Sequence, residues 1–183
     1  IASLKGWLHG MKVGFLYNHD ELHQVAHTAP IISELQRQYP SLTVEVLSSS
    51  AGQTEAVKRH LDPDLPAPPI HTLKRSTFFS FAERLIGSAA PLGRIGFLTA
   101  NLDLLGSYDA LVVPETTTTL LKTKFGLKNT KLIHIPHGAG DRSISVSPDI
   151  AHFDFVMLPG DKTRARMLKS KVVRENASAV VGY

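Results

Sequence analysis

The chain has 183 residues, with 20 Lys and Arg against 16 Asp and Glu, 9 His and no Cys. Its 43% hydrophobic content is enough to bury a core, while the missing cysteines exclude a disulfide scaffold, a Cys-ligated zinc or iron–sulfur site and a Cys nucleophile. A net charge of +4 suits an anionic ligand or surface and falls short of a typical nucleic-acid binder, and no apolar run approaches the length of a membrane-spanning helix.

Residues 1–10 precede the first methionine, Met11. They read as an upstream extension or a non-native remnant, without the long apolar stretch or cleavage pattern of a secretory signal. From there strand and helix signals alternate through residues 11–183, which read as one domain. Strands are expected at 13–17, 42–47, 110–114, 131–135, 153–158 and 178–181. Most are continuously apolar, as parallel strands covered on both faces must be. Helices are expected at 20–38, 53–61, 79–86, about 92–104, 117–124 and 161–169, with Pro30 predicting a kink in the first. Residues 62–70, holding Pro63, Pro66, Pro68 and Pro69, read as an extended connection. This order predicts an α/β fold, a doubly wound, mostly parallel, Rossmann-like sheet with right-handed crossovers. Ligands bind such sheets beyond the carboxyl ends of the strands. Function is therefore sought in the loops after Tyr17, Pro114, Ile135 and Leu158.

The first of these loops carries Asn18 and Glu21 at capping-box spacing. His19, His23 and His27 follow at intervals of one helical turn, on one face near the strand end. His19 and His23 are candidate substrate contacts. The zincin pattern needs Glu after the first His, but Gln24 stands after His23 and no third ligand is evident, so no metal is expected. Residues 74–86 gather Phe78, Phe79 and Phe81 with Lys74, Arg75 and Arg84, a pattern that suits either peripheral contact with an anionic membrane surface or rings packed in the core under a loop. After the strand at 110–114, Glu115 and Thr116 open a helix. Thr116 serves either as its N-cap or as a contact for a polar substrate.

The sharpest local signal is Ile135-Pro136-His137-Gly138-Ala139-Gly140-Asp141-Arg142. A strand ends, then an imidazole able to act as a general base is followed by two glycines, an acid and a cation. His137 and Asp141 are the candidate catalytic pair, with Asp141 either orienting the ring or pairing with Arg142. Gly138 and Gly140 let backbone N–H groups approach an anion closely, and Arg142 can steady it. His134, inside the strand, reads as a buried structural histidine. Neither the dinucleotide-binding glycine fingerprint nor a phosphate-binding P-loop is present. Gly160 and Lys162 open a basic helix after the next strand and form a second candidate anion site.

Together the His-Gly loop, the Phe153-Asp154-Phe155 strand ending in Pro159-Gly160, and Val180-Val181-Gly182-Tyr183 resemble the CDP-glycerol glycerophosphotransferase family. The opening residues 18–35, with Ala29-Pro30, resemble the first helix of UDP-N-acetylglucosamine 2-epimerases. Both families have the two-Rossmann GT-B architecture. The resemblance implies that residues 11–183 are the N-terminal, acceptor-side half of such an enzyme. A C-terminal donor domain would lie beyond a chain that halts within a strand. It further implies a bacterial, cytoplasmic transferase of cell-envelope biogenesis, working at the inner face of the membrane without a cofactor. Its partners would be a nucleotide-activated donor and a polyol-phosphate, sugar or lipid-linked acceptor, with no nucleic acid. The alternatives are a non-hydrolysing UDP-N-acetylglucosamine 2-epimerase-like enzyme, although that family's Gly-Thr-Arg-Pro-Glu signature is absent, and a non-catalytic α/β binding module.

Overall fold

The computed structural model describes residues 10–18, 22–77, 92–136 and 147–182. Seven strands, all parallel, make one sheet in the order β3-β2-β1-β4-β5-β6-β7. They are β1 (Lys12–Tyr17), β2 (Thr43–Ser48), β3 (Ile70–Thr72), β4 (Ala110–Val113), β5 (Lys131–His134), β6 (Phe155–Leu158) and β7 (Ser178–Val180). The helices are α1 (His23–Gln38), α2 (Ala51–His60), α3 (Leu92–Ala100), α4 (Leu102–Gly106), α5 (Leu120–Thr123) and α6 (Asp161–Lys169). The expected doubly wound, Rossmann-like α/β fold is what forms. Among the described residues no helix is long and apolar enough to cross a membrane.

Side-chain alternation explains the unbroken apolar runs. In β1, Val13, Phe15 and Tyr17 enter one core with Val25, Ala29 and Ile32 of α1 and Val57 of α2. Leu16 enters a second core with Leu98, Leu105, Leu111 and Leu121. In β4, Ala110 and Val112 belong to the first core and Leu111 and Val113 to the second. Both faces are buried, so β4 and β1 beyond Lys12 read as unbroken apolar runs.

Four expectations need correction. Residues 62–70 do not merely connect: they run into the edge strand β3, whose preceding Pro69 carbonyl accepts from Val46 N–H at 2.9 Å. Prolines are tolerated beside an edge, and three residues are too few to show a periodicity. The helix expected over 92–104 breaks at Asn101, whose amide donates to the Phe97 and Lys74 carbonyls and accepts from Lys74 N–H. The first turn of the helix expected at 117–124 is 3-10, over Thr117–Thr119. The proposed capping box also fails. The cap position of α1 is Leu22, with no side-chain cap bond, and the helix then runs through exposed Pro30 to Gln38. The helix expected at 79–86 lies outside the described residues.

One carboxylate interrupts the second face. Glu45 of β2 accepts from Tyr108 Oη at 2.6 Å, His71 Nε2 at 2.8 Å and Lys12 Nζ at 3.2 Å. Lys12 Nζ also lies 4.4 Å from the centre of the Tyr108 ring. Burial pushes the Glu45 carboxyl up, but the bonds from Tyr108, Lys12 and His71 outweigh it and hold the group below its ordinary value of 4.5. A lowered folded-state pKa adds stability that is fully present above the unfolded value and is lost as pH falls through the folded one. Urea titrations between pH 3 and pH 7 should therefore show a steeper acid-side loss of stability in wild type than in Glu45→Gln.

Gly14 sits beside this network. A Cβ there would lie 2.8 Å from Leu47 Cδ1, 2.9 Å from Leu111 Cδ2 and 2.9 Å from Tyr108 Cδ1, all parts of buried residues. Gly14→Ala should cost about 1–3 kcal/mol in chemical denaturation, the usual penalty of overpacking. Gly52→Ala, in the first turn of α2 with no atom nearer than 3.9 Å, should be neutral or stabilising by about 0.5–1 kcal/mol.

Candidate functional site

All seven strands end at one edge, and strand order reverses between β1 and β4. Open α/β sheets place their ligands at this reversal. Three residues beyond the Phe15–Val112 pair, Asn18 stands level with Glu115. One residue beyond the Tyr17–Ser48 pair it stands level with Ser49, whose N–H donates to the Tyr17 carbonyl at 3.0 Å. The Val113–His134 pair sets Pro136 level with Glu115.

Most polar groups on this rim are held by the fold. Tyr17 Oη and Thr28 Oγ1 are 2.7 Å apart, and Thr28 in turn donates to the Gln24 carbonyl, tying β1 to α1. Burial, only partly offset by the Thr28 hydrogen bond, pushes the Tyr17 hydroxyl far above its ordinary range, so it stays protonated. At the end of β2, Ser50 caps α2 by accepting from Gln53 N–H. Gln53 Oε1 accepts from Ser49 N–H and Ser49 Oγ, both at 2.9 Å. The serine run at 48–50 and Gln53 went unmarked in the sequence, although Ser-x-x-Gln is a capping-box spacing.

After β4, Glu115 is 5% exposed and takes the role expected of Thr116. Its carboxylate accepts from Thr117 N–H at 2.6 Å, Thr118 N–H at 3.0 Å and the Thr118 hydroxyl. Thr116 lies already in the helical region of backbone space, at φ −91° and ψ −19°, where its side chain makes no cap bond. Its carbonyl instead accepts from Thr119 N–H and Oγ1.

Asn18 is the exception on the rim. It is 2% exposed, and neither Oδ1 nor Nδ2 has a hydrogen-bond partner among the described residues. Leaving a buried amide unpartnered costs about 1–3 kcal/mol. The single Nε atoms of Arg164 and Arg166 are the other buried side-chain polar atoms in this state among the described residues.

The remaining sequence candidates fall in three places. His19, His137, Gly138, Gly140, Asp141 and Arg142 lie outside the described residues, as do Phe78, Phe79 and Phe81. His23 is exposed on α1, as is His27, while Gln24 between them is buried, so this histidine face turns outward. Among the described residues no group of three or more His, Asp or Glu is placed to hold a metal ion. Gly160 and Lys162 open α6 after β6, two strands from β4, roughly 10 Å across the sheet. The sheet brings Asn18, Ser49, Glu115 and Thr116 to the reversal and leaves Gly160 and Lys162 to one side.

His134 is the structural histidine its position in the strand predicts. It is 4% exposed, its ring stacks on Phe153 with centres 4.6 Å apart, and Nδ1 lies 3.1 Å from the Val113 carbonyl. Asp154, between Phe153 and Phe155, is a tie at the amino end of β5. It accepts from Leu132 N–H at 2.8 Å and pairs with Lys122.

No family model matches the chain, and no curated protein matches it in sequence. Among solved structures, a UDP-N-acetylglucosamine 2-epimerase aligns with a TM-score of 0.58 at 16% identity, over 94% of this chain and 48% of its own. A protein of Listeria monocytogenes named for the same activity gives 0.57 at 14% identity, over 93% and 44%. The E. coli heptosyltransferase WaaC gives 0.47 at 13% identity, over 87% and 48%, too loose a match to carry an argument. The chain thus spans about half the length of the structures it matches. At these identities the likeness shows the fold alone, a Rossmann-like parallel α/β unit. Nothing in these matches selects the CDP-glycerol family over other enzymes of that fold.

His134→Ala should lower stability in urea denaturation by about 2–3 kcal/mol, through the lost stacking and packing volume. An unchanged midpoint would contradict the structural role of this ring.

Proposed function

We propose that the chain is the acceptor-side unit of a transferase that moves a group from a nucleotide-activated donor, CDP-glycerol or a nucleotide sugar, to a hydroxyl of a cell-envelope polymer or lipid-linked acceptor. The observation that carries this reading is the end of β5. That strand pairs directly with β4, and Pro136 stands at the rim level with Glu115. Pro136, the residue that precedes the His-Gly loop in the sequence, is thus one strand from the reversal where this fold class seats its ligands, which supports the reading.

In this mechanism His137 takes the proton from the acceptor hydroxyl as its oxygen attacks the donor's phosphorus or anomeric carbon. The bond to the departing nucleotide breaks, and the nucleotide leaves with the bonding electrons. Asp141 orients the imidazole. Backbone N–H groups around Gly138 and Gly140, together with Arg142, stabilise the developing negative charge. The donor's nucleotide would be held by a second domain. The enzyme would work in the cytoplasm at the inner face of the membrane, with the aromatic and basic stretch at 74–86 as its contact.

The test is a transfer assay on the full-length protein with radiolabelled CDP-glycerol and nucleotide sugars, run beside an assay for epimerisation of UDP-N-acetylglucosamine. Transfer is expected. His137→Ala should slow the chemical step by roughly 10²- to 10⁴-fold with the melting temperature nearly unchanged. The 183-residue chain alone should fold and turn nothing over. Epimerisation without transfer would replace this reading with the epimerase one. Full activity in a folded His137→Ala protein would remove the proposed base.

A further inference from the structure

The Asn18 amide is the one rim group among those described above that the fold leaves unanswered. The Tyr17 hydroxyl is engaged by Thr28, the Ser49 hydroxyl by Gln53, and the Glu115 carboxylate by Thr117 and Thr118. Asn18 is as buried as these groups, yet both its polar atoms lack a partner among the described residues. It stands at the carboxyl end of β1, at the strand-order reversal, between the levels of Ser49 and Glu115. A polar side chain shielded from water and unpaired is unfavourable in the free protein, and an interaction made when something else is bound would offset that cost.

We propose that Asn18 is a specificity-determining residue that reads neighbouring hydroxyls of a polyol or sugar seated against the rim between β1 and β4. The amide selects the class. Nδ2 donates and Oδ1 accepts, side by side. An anion would meet the lone pairs of Oδ1, and a cation would meet the N–H groups of Nδ2. Adjacent hydroxyls, each both donor and acceptor, satisfy the two atoms together. The surroundings agree with a neutral ligand. Ser48, Ser49, Ser50 and the threonines at 116–119 line the neighbouring strand ends, and the Glu115 charge is already enclosed by the first turn after β4. The inference deepens the transferase reading and rests on it for the identity of the hydroxyl compound as acceptor.

The experiment is a titration of the full chain followed by ¹⁵N–¹H correlation spectra, reading the Asn18 side-chain NH₂ pair. Asn18→Leu, close in size and apolar, identifies that pair by its disappearance. The probes are glycerol and N-acetylglucosamine, both neutral, with inorganic phosphate as control. The Asn18 pair should move saturably with at least one hydroxyl probe and stay still with phosphate, the responding probe telling polyol from sugar. Asn18→Leu should weaken that binding by about 10- to 100-fold, the loss of two hydrogen bonds. Should Asn18→Leu fail to fold, Asn18→Ser supplies the affinity comparison and the wild-type titration stands unaided. An Asn18 pair that never moves, or that moves equally with inorganic phosphate, overturns the proposal. The two readings fail separately. Transfer activity that survives Asn18→Leu with unchanged KM sinks the inference and spares the enzyme. An Asn18 response to hydroxyl probes in a full-length protein that transfers nothing does the reverse.

Discussion

Along β1, Phe15 and Tyr17 enter one core while Leu16 enters the other, and β4 divides its residues in the same way. A parallel sheet covered on both faces allows little else, because its central strands bury side chains on both faces and satisfy their backbone through their neighbours. Polar chemistry is thereby driven to the strand ends. The two ends are then unequal: the carboxyl edge carries the strand-order reversal, and the loops that start there are the ones free to diverge.

Where a charge does enter the sheet, the fold surrounds it. Glu45 gathers Lys12 of β1, His71 of β3 and Tyr108 just before β4, so one carboxylate binds four successive parts of the chain. Burial and the Glu45 carboxylate keep Tyr108 protonated far above the ordinary tyrosine range, which preserves it as a donor. Asp154 does similar work between Lys122 and the start of β5. Burial raises its carboxyl, and the Lys122 ammonium and the Leu132 N–H outweigh that and bring it down. Both are structural ties at some distance from the carboxyl rim, and neither is a plausible catalytic acid.

The rim shows the opposite behaviour at one residue only among those described. Tyr17, Ser49, Gln53 and Glu115 spend their hydrogen bonds on holding β1, α1, α2 and the turn after β4 in place. Asn18 spends none. The contrast marks out Asn18 better than residue type does, since a carboxylate, a phenol and an amide at this edge would each look functional in isolation.

Much of the architecture was legible from residue pattern. Apolar runs alternating with amphipathic stretches determined the α/β class, the parallel sheet, six of the seven strands and the buried place of His134, because burial on both faces and helical periodicity leave a local record. The remainder depends on partners distant in the chain. The edge strand β3 exists through its pairing with β2, and the break at Asn101 through a clamp on Lys74, 27 residues away. Glu115 displaced Thr116 as the cap because of backbone geometry that residue type does not encode. Asn18 looked like a capping residue by its spacing to Glu21. Only the assembled sheet buries its amide at the reversal and leaves it without a partner among the described residues, which no local spacing records.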